Sequence, residues 1–293
     1  LSRSAKFDGV RIFIGETMLL KGLYEFTPGM LSQFGEDQVE TPGRQLYTFF
    51  DEKSPYYVGD LKHINKEFTA HPYNNHFTSE EMRSTHLLAG AEARKYGLDY
   101  HSSEWCLLPT SQQYGGITDD WQKGNHGDIQ AALMMARVMH SDFVDMNAVS
   151  WCYWKAMELK GDHALVALHA TDGDIHKGGY ASANKMLWVL GNYSRFVRPG
   201  YVRVALDGAD DLDGLAATAF VSPQGDRLVA VFVNSSFEEK PVELSMPKAW
   251  KKKMKSVTSY RTDARHDLAR TVTGEGVNHV IGARGVTTIV IDL

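Results

Sequence analysis

The stretch that decides the fold is His101-Ser102-Ser103-Glu104-Trp105-Cys106-Leu107-Leu108-Pro109. Residues 99–105 predict a β-strand that runs into a loop, with a glutamate at the point where the strand ends. An ionised carboxylate avoids the interior of a sheet, because its desolvation is costly without partners. Barrel enzymes keep their chemistry at the carboxyl ends of parallel strands. Glu104 is therefore a candidate nucleophile, and a salt bridge to a nearby Arg or Lys is the alternative on this stretch alone.

Composition describes an ordinary globular chain of 293 residues, 43% hydrophobic and 23% charged. Its net charge of −5 favours no polyanionic partner, so we expect no nucleic acid. No apolar run is long enough to cross a bilayer, so no membrane partner is expected either. Cys106 and Cys152 cannot form a disulfide framework and lack the spacing of a metal site, so two buried thiols are expected.

Strand and helix patterns alternate four times over residues 10–197. The predicted strands are Val10–Ile14, Glu67–His71, Asp99–Trp105 and Asn147–Trp154. The clearest helix begins at Thr78, which has the capping-box spacing to Glu81, and ends near Gly97. Such alternation is typical of parallel βα units. An eight-fold barrel takes about 250 residues, so four units amount to half of one.

From Gly200 onward the pattern changes to short alternating or β-branched runs. These runs are Tyr201–Ala205, Ala217–Val221, Leu228–Val233, Val242–Leu244, Val257–Tyr260, His279–Ile281 and Thr287–Ile291. Pro223-Gln224-Gly225-Asp226 predicts a turn between two of them. Short strands at this spacing predict a β-sandwich. The region between Trp154 and the helix predicted over Lys185–Arg195 shows no such pattern and is expected to be a long loop.

Three stretches together resemble glycoside hydrolase family 30. They are Ser103-Glu104-Trp105-Cys106, Ser150-Trp151-Cys152-Tyr153-Trp154 and the long motif Leu190-Gly191-Asn192-Tyr193-Ser194-Arg195-Phe196-Val197-Arg198-Pro199-Gly200. Phe49-Phe50-Asp51 and Tyr57-Val58-Gly59-Asp60-Leu61 further resemble the endo-β-1,6-galactanase branch of that family. The resemblance runs in order through nearly the whole chain.

The resemblance implies a (β/α)8 barrel followed by a β-sandwich. Residues 1–198 would hold barrel strands five to eight, and residues 199–293 would form the sandwich. The family's acid/base residue follows an Asn on strand four, and no Asn-Glu dipeptide occurs in this sequence. We therefore expect the acid/base not to be in the chain. We also expect a missing N-terminal half of the barrel as partner, and without it either marginal solubility or self-association of the chain.

Retaining glycosidases use two carboxyl groups, one as nucleophile and one as acid/base. The resemblance gives Glu104 the nucleophile role and places Glu16 as an acceptor for a sugar hydroxyl, with a loop salt bridge as its alternative. Tyr73 is expected to donate to the Glu104 carboxylate. His71 is the weaker candidate for that task, because it could be a core histidine bonded to a backbone carbonyl.

Further substrate contacts are expected from Trp154, as the apolar floor under the sugar, and from Asn74 in a loop. Trp105 and Trp151 are expected to point away and pack behind the barrel. No dinucleotide-binding, phosphate-loop, zinc-protease or hydrolase-elbow motif occurs, and glycoside hydrolysis needs no metal or organic cofactor.

By resemblance, the expected function is a secreted or periplasmic retaining β-glycoside hydrolase, an endo-β-1,6-galactanase acting on galactan or arabinogalactan side chains. The alternatives are a β-1,6-glucanase, a xylan-active relative, or a non-catalytic carbohydrate-binding protein if the chain is complete.

Overall fold

The computed structural model describes residue 6 and residues 8–25, 43–73, 78–107, 129–159 and 164–293. The chain divides into two compact units. One comprises Leu1–Trp105 and Ser141–Trp154, and the other comprises Cys106–His140 and Lys155–Leu293. Residues 155–198 group here with the C-terminal strands, whereas the sequence places them with the parallel region. The domain boundary near residue 198 stays a prediction.

The first unit is built on a four-stranded parallel sheet. Its strands are β1 (Ile12–Thr17), β2 (Ile64–Ala70), β3 (Asp99–Ser102) and β4 (Ser150–Trp151), paired in that order. Its helices are α1 (Lys21–Tyr24), α2 (Gln45–Phe50), α3 (Ser79–Tyr96) and the end of α4 (Ile129–Val144). The predicted α/β region with parallel strands is confirmed.

The two faces of this sheet differ in polarity because side chains alternate along each strand. Phe68 and Tyr100 are buried and stack with ring centroids 5.3 Å apart. They belong to an apolar core that includes residues of α1, α2 and α3. Glu67, Thr69 and His101 point to the opposite face, where Glu67 accepts a hydrogen bond from Arg11 at 3.0 Å and His101 contacts Phe13 edge-on.

Helix α3 has the ends that its sequence predicts. The Thr78 hydroxyl accepts a hydrogen bond from the Glu81 backbone N–H at 3.0 Å, as a capping residue should. Gly97 follows the helix with φ +63°, the left-handed conformation that glycine adopts without steric cost.

The fourth strand is much shorter than the sequence predicts. Strand β4 contains only Ser150 and Trp151, instead of the eight residues expected over Asn147–Trp154. Asn147 has φ +58°, which is incompatible with extended backbone, so it belongs to the turn before the strand. The third strand also ends early, at Ser102, which leaves Glu104 two residues beyond it.

The second unit contains two antiparallel sheets that share a core. Its strands include β8 (Val202–Val204), β9 (Leu215–Val221), β10 (Arg227–Asn234), β11 (Lys240–Glu243), β12 (Ser256–Asp263), β13 (Ala269–Thr271), β14 (Gly274–Glu275), β15 (Asn278–Ile281) and β16 (Gly285–Asp292). The larger sheet has the order β13-β12-β16-β10-β9-β8 and the smaller has β11-β15-β14. Phe232, Ile289 and Ile281 contribute to one apolar cluster drawn from both sheets. The predicted antiparallel region is confirmed.

A third small sheet of this unit occupies the region expected to be a loop. It consists of β5 (Met157–Leu159), β6 (Val166–Ala170) and β7 (Gly179–Ala183), and α5 (Lys185–Ser194) follows it. The expectation was wrong because these strands have only three to five residues and half-exposed faces. They therefore lack the apolar alternation by which strands are recognised. A short helix, α6 (Lys248–Lys253), carries the lysine run.

Candidate active site

Glu104 lies in the loop that leaves strand β3, between the neighbouring strands. Ser103 N–H donates to the Ala70 carbonyl of β2 at 3.3 Å, and Trp154 N–H donates to the Trp105 carbonyl at 2.9 Å. These backbone bonds hold the residues before and after Glu104 to both neighbours. The Glu104 side chain keeps 26% of its surface exposed, so the carboxylate is accessible from solvent.

Two side chains from the end of β2 contact the Glu104 carboxylate. The Tyr73 hydroxyl donates a hydrogen bond to Glu104 Oε1 at 2.9 Å, and Tyr73 itself is only 4% exposed. His71 Nδ1 lies 3.6 Å from the same oxygen. The His71 and Tyr73 rings meet edge-on with centroids 5.5 Å apart, which fixes both rings beside the carboxylate.

Glu16 lies on the other side of His71 and is held by three donors. His71 Nε2 lies 2.5 Å from Glu16 Oε1, the Ser103 hydroxyl donates to the same oxygen at 2.5 Å, and the Thr69 hydroxyl donates to Oε2 at 2.7 Å. Partial burial raises the pKa of Glu16, but the bonds from Ser103, Thr69 and His71 outweigh it, so the pKa lies below its ordinary value. Glu16 is therefore ionised at neutral pH. His71 lies between two carboxylates rather than on a backbone carbonyl.

Ser103 and Thr69 were missed as members of this cluster. Both could have been found from position, because Ser103 directly precedes Glu104 and Thr69 lies two residues before His71. Two residues along a strand return a side chain to the same face. Small hydroxyl residues are common at strand ends, so their position alone carries little weight.

The tryptophans that were expected to pack away from the site form one aromatic cluster. Trp105 is completely buried, and its ring lies 6.3 Å from that of Trp151 and 6.2 Å from that of Tyr153, centroid to centroid. The Trp151 indole N–H donates at 2.8 Å to Asp142, a buried residue of α4.

Trp154 is 48% exposed, and the structure places it next to Trp105 through the backbone bond given above. That Trp154 forms the apolar floor under a bound sugar stays a prediction. Asn74 lies outside the described residues.

The cysteines behave differently from each other. Cys106 is buried as expected, but Cys152 is exposed, so the expectation of two buried thiols was wrong for the second. Cys152 directly follows the two-residue strand β4, and its backbone N–H donates to the Ser102 carbonyl of β3 at 2.8 Å. Within the described ranges, no group of three or more His, Cys, Asp or Glu side chains could hold a metal ion.

Comparison with known families finds one similarity. The model of O-glycosyl hydrolase family 30 matches residues 28–166, which include Glu104, Tyr73 and His71. The match covers just under half of the chain, so over these residues the chain is similar to glycoside hydrolase family 30. The match does not distinguish the galactanase branch from others.

Three solved structures are similar to this chain in fold. A conserved exported protein from Bacteroides fragilis matches 96% of the chain with 24% identity and a TM-score of 0.77. A family 30 subfamily 8 xylanase from Clostridium acetobutylicum matches 99% of it with 17% identity and a TM-score of 0.58. A GH30 endoxylanase from Clostridium papyrosolvens matches 97% with 16% identity and a TM-score of 0.58.

The chain spans just over half the length of these proteins. It covers 55% of the Bacteroides protein and 58% and 56% of the two xylanases. Because these sequence identities are low, the comparison supports a similar fold and gives no information on activity or substrate. Among the helices in the described part of the chain, none combines the length and apolar character needed to cross a membrane.

Proposed function

We propose that this chain carries the nucleophile of a retaining β-glycoside hydrolase, and that Glu104 is that nucleophile. The observation that supports the role is the contact between Glu104 and Tyr73 at the end of neighbouring parallel strands, with His71 beside the same oxygen. A hydroxyl donor fixes the orientation of the carboxylate oxygens. An ionised, oriented and accessible carboxylate is what attack on an anomeric carbon requires.

In the proposed reaction, a Glu104 oxygen forms a bond to the anomeric carbon while the bond from that carbon to the leaving oxygen breaks. A carboxylic acid protonates the leaving oxygen, and water later hydrolyses the glycosyl ester. Glu16 does not suit the acid role, because its lowered pKa keeps it ionised. It suits the acceptor of a sugar hydroxyl. The acid is expected from polypeptide other than these residues, and no cofactor takes part.

The proposed architecture behind this chemistry is the C-terminal half of a (β/α)8 barrel, residues 1–198, followed by a β-sandwich, residues 199–293. Support comes from the order β1-β2-β3-β4 of the parallel sheet and from the apolar core shared by the two antiparallel sheets. The expected partner is the N-terminal half of the barrel.

The proposed substrate is a β-1,6-linked galactan, such as the side chains of arabinogalactan. It is supported by the family match, which implies a carbohydrate, and by the stretches at residues 49–51 and 57–61 that resemble the galactanase branch. Xylan and β-1,6-glucan are the competing substrates, and sugar binding without hydrolysis is the competing function. A secreted or periplasmic location is proposed, and the similar Bacteroides protein is an exported one.

A fluorinated galactoside with a dinitrophenyl leaving group tests the nucleophile. Dinitrophenolate departs without protonation, so the chain can react although it lacks the acid. We expect the sugar to become attached to Glu104, which peptide mass spectrometry identifies after proteolysis. The matched variant Glu104→Gln should remain unlabelled while its circular dichroism spectrum is unchanged.

Attachment to any other residue, or equal labelling of Glu104→Gln, would remove Glu104 from the mechanism. The same reagent built on xylose or glucose distinguishes the competing substrates. Faster labelling by either of these sugars than by the galactoside would replace galactan as the proposed substrate.

A further inference from the structure

A cavity lies in the first unit, at the opposite end of strand β2 from the Glu104 site. It has a volume of about 380 Å³, and its lining includes Lys66, Tyr57 and Tyr96. Lys66 is the third residue of β2, whereas His71 directly follows the strand. Five residues of extended chain separate them by about 17 Å. The cavity is therefore distinct from the Glu104 cluster.

One wall of the cavity is a loop that is held rigidly by its own hydrogen bonds. The Asp51 carboxylate accepts from the Lys53 N–H at 2.9 Å, and the buried Ser54 hydroxyl donates to the Thr48 carbonyl at 2.6 Å. Val58 N–H donates to the Phe49 carbonyl at 3.0 Å. A wall fixed in this way loses little conformational freedom when a ligand binds.

Aromatic rings form two sides of the cavity. A Cβ at Gly59 would lie 2.7 Å from the Tyr57 ring, so glycine lets that ring lie against the backbone. The Tyr96 hydroxyl donates to Asp51 at 3.3 Å. Burial, together with Glu92 and Asp51, raises the pKa of Tyr96 to about 12, and the pKa of Tyr57 is also raised, first by desolvation. Both rings therefore keep their hydroxyl protons at neutral pH.

The charges around the cavity nearly balance. Lys95 pairs with Glu92 on the same helix. The remaining charged residues that line the cavity are two positive ones, Lys53 and Lys66, and two negative ones, Asp51 and Glu52. An anion site would carry an excess of positive charge, and a cation site would carry an excess of negative charge. The arrangement suits a neutral ligand with many hydroxyls, since it offers both donors and acceptors between apolar rings.

We propose that this cavity is a second carbohydrate-binding site, which takes a short stretch of a neutral glycan. The inference rests on the proposed function, because it gives the chain a polysaccharide as ligand. A glycan held here would keep the rest of the polymer near Glu104, since linking two binding sites raises the effective concentration at each. The stretches at residues 49–51 and 57–61 contribute Asp51, Tyr57 and Gly59 to this cavity, away from the catalytic end.

An amide NMR titration of the full chain with β-1,6-linked galactotetraose tests the inference. We expect the signals of Tyr57 and Lys66 to shift together with those of Tyr73 and Glu104. Tyr57→Ala and Lys66→Ala should each weaken binding at the cavity at least tenfold and leave the shifts of Tyr73 and Glu104 unchanged. Tyr56→Ala is the matched control, because Tyr56 is the adjacent tyrosine, is 51% exposed and does not line the cavity.

The outcomes separate this inference from the proposed function. Shifts confined to Tyr73 and Glu104 would overturn the second site and leave the proposed function intact. Shifts confined to Tyr57 and Lys66 would support the second site and count against sugar binding at Glu104. No shift at either place would overturn both. Inorganic phosphate that shifts the cavity signals when the sugar does not would show an anion site instead, and unchanged circular dichroism checks the fold of each variant.

Discussion

Glu104 and Glu16 are two carboxylates that share one histidine but differ in their surroundings. Glu104 receives one hydroxyl donor, whereas Glu16 receives two hydroxyls and the His71 ring. The donor-rich carboxylate is strongly held in its ionised form and is a poor proton donor. The carboxylate with fewer bonds has oxygen lone pairs available for a new bond. These surroundings support the proposed roles, in which Glu104 attacks the sugar and Glu16 positions a sugar hydroxyl or the His71 ring.

Tyr73→Phe removes the hydroxyl that orients Glu104 and leaves the ring in place. A hydrogen bond to a charged group is worth about 1.5–3 kcal/mol, so labelling by the fluorinated galactoside should slow by about 10- to 100-fold. The rate of labelling, followed by mass spectrometry, measures the effect. Tyr56→Phe, which removes an exposed hydroxyl elsewhere, is the control and should label at the normal rate. An unchanged rate in Tyr73→Phe would show that the hydroxyl does not support the nucleophile.

Glu16 should make stability depend on pH. Its pKa is lower in the folded chain than its ordinary value, so folding favours the ionised form. The stabilisation that ionised Glu16 provides is present above its pKa in the unfolded chain. It is lost as the pH falls through its lower pKa in the folded chain. Glu16→Gln should therefore be less stable than the parent at neutral pH, and the difference should shrink in acid. Urea unfolding at several pH values measures it.

Ser103→Ala supplies the control for Glu16, because it removes one donor and keeps the carboxylate. The pH-dependent part of the Glu16→Gln effect should be smaller in the Ser103→Ala background. A stability difference that stays constant from neutral pH to acid would contradict the account.

At the scale of elements, the sequence correctly predicted those helix ends that depend on interactions between residues close together in the chain. Helix α3 was placed correctly because Thr78 and Gly97 act within a turn of its ends. Strand β4 was overestimated because the apolar run over 147–154 continues beyond the two residues that pair with β3. The sheet β5-β6-β7 was missed because its short strands are recognisable only once they are paired.

Asn192 explains part of the long motif at residues 190–200. It is completely buried on α5, where its amide nitrogen donates to the Thr288 hydroxyl at 2.9 Å and its amide oxygen accepts from the Thr262 hydroxyl at 2.6 Å. The Thr288 hydroxyl also donates to the Asn192 carbonyl at 2.7 Å. One side chain thus links a helix to strands β12 and β16 of the large sheet.

Asn192→Ala should destabilise the second unit by about 1–3 kcal/mol, because the buried Thr262 hydroxyl loses its acceptor and the Thr288 hydroxyl loses the donor that Asn192 supplies. Hydrogen exchange of the β12 and β16 amides, measured by mass spectrometry, should speed up accordingly. Asn192→Asp retains the acceptor but loses the donor, so it should be no less damaging. Ser194→Ala, on an exposed position of the same helix, should leave exchange unchanged. Normal protection in Asn192→Ala would show that helix packing alone is sufficient.

At the scale of the whole molecule, sequence patterns predicted the two kinds of architecture but only part of the site. The change from helical to alternating periodicity near Gly200 separates α/β from antiparallel structure because each has its own period. Glu104 was chosen as a candidate because the sequence places it where a predicted strand runs into a loop. Glu16 lies on β1 and its donors come from the ends of β2 and β3, and only the register of these three strands brings them together. A pattern within one stretch of sequence does not show how that stretch pairs with distant strands, so this register could not be predicted.

The outer strands of the parallel sheet could pair with a second copy of the chain. Strands β1 and β4 are the sheet's outermost members in the described part of the chain, and outer strands present backbone groups that can pair with another sheet. We therefore expect the purified chain to self-associate, with an average mass in sedimentation experiments that rises with concentration. Val149 directly precedes β4 and is 51% exposed. A lysine there should oppose pairing at this edge, because a desolvated charge is costly.

Val149→Lys should therefore lower the average mass toward that of a single chain. Leu88→Lys is the matched control, since Leu88 is 54% exposed but lies on helix α3, away from the strand edges. If association arises from exposed apolar area in general, both variants should reduce it equally. If it arises from the strand edge, only Val149→Lys should. A parent chain that sediments as a single monomer at every concentration, with a sharp melting transition, would show that the outer strands are already protected.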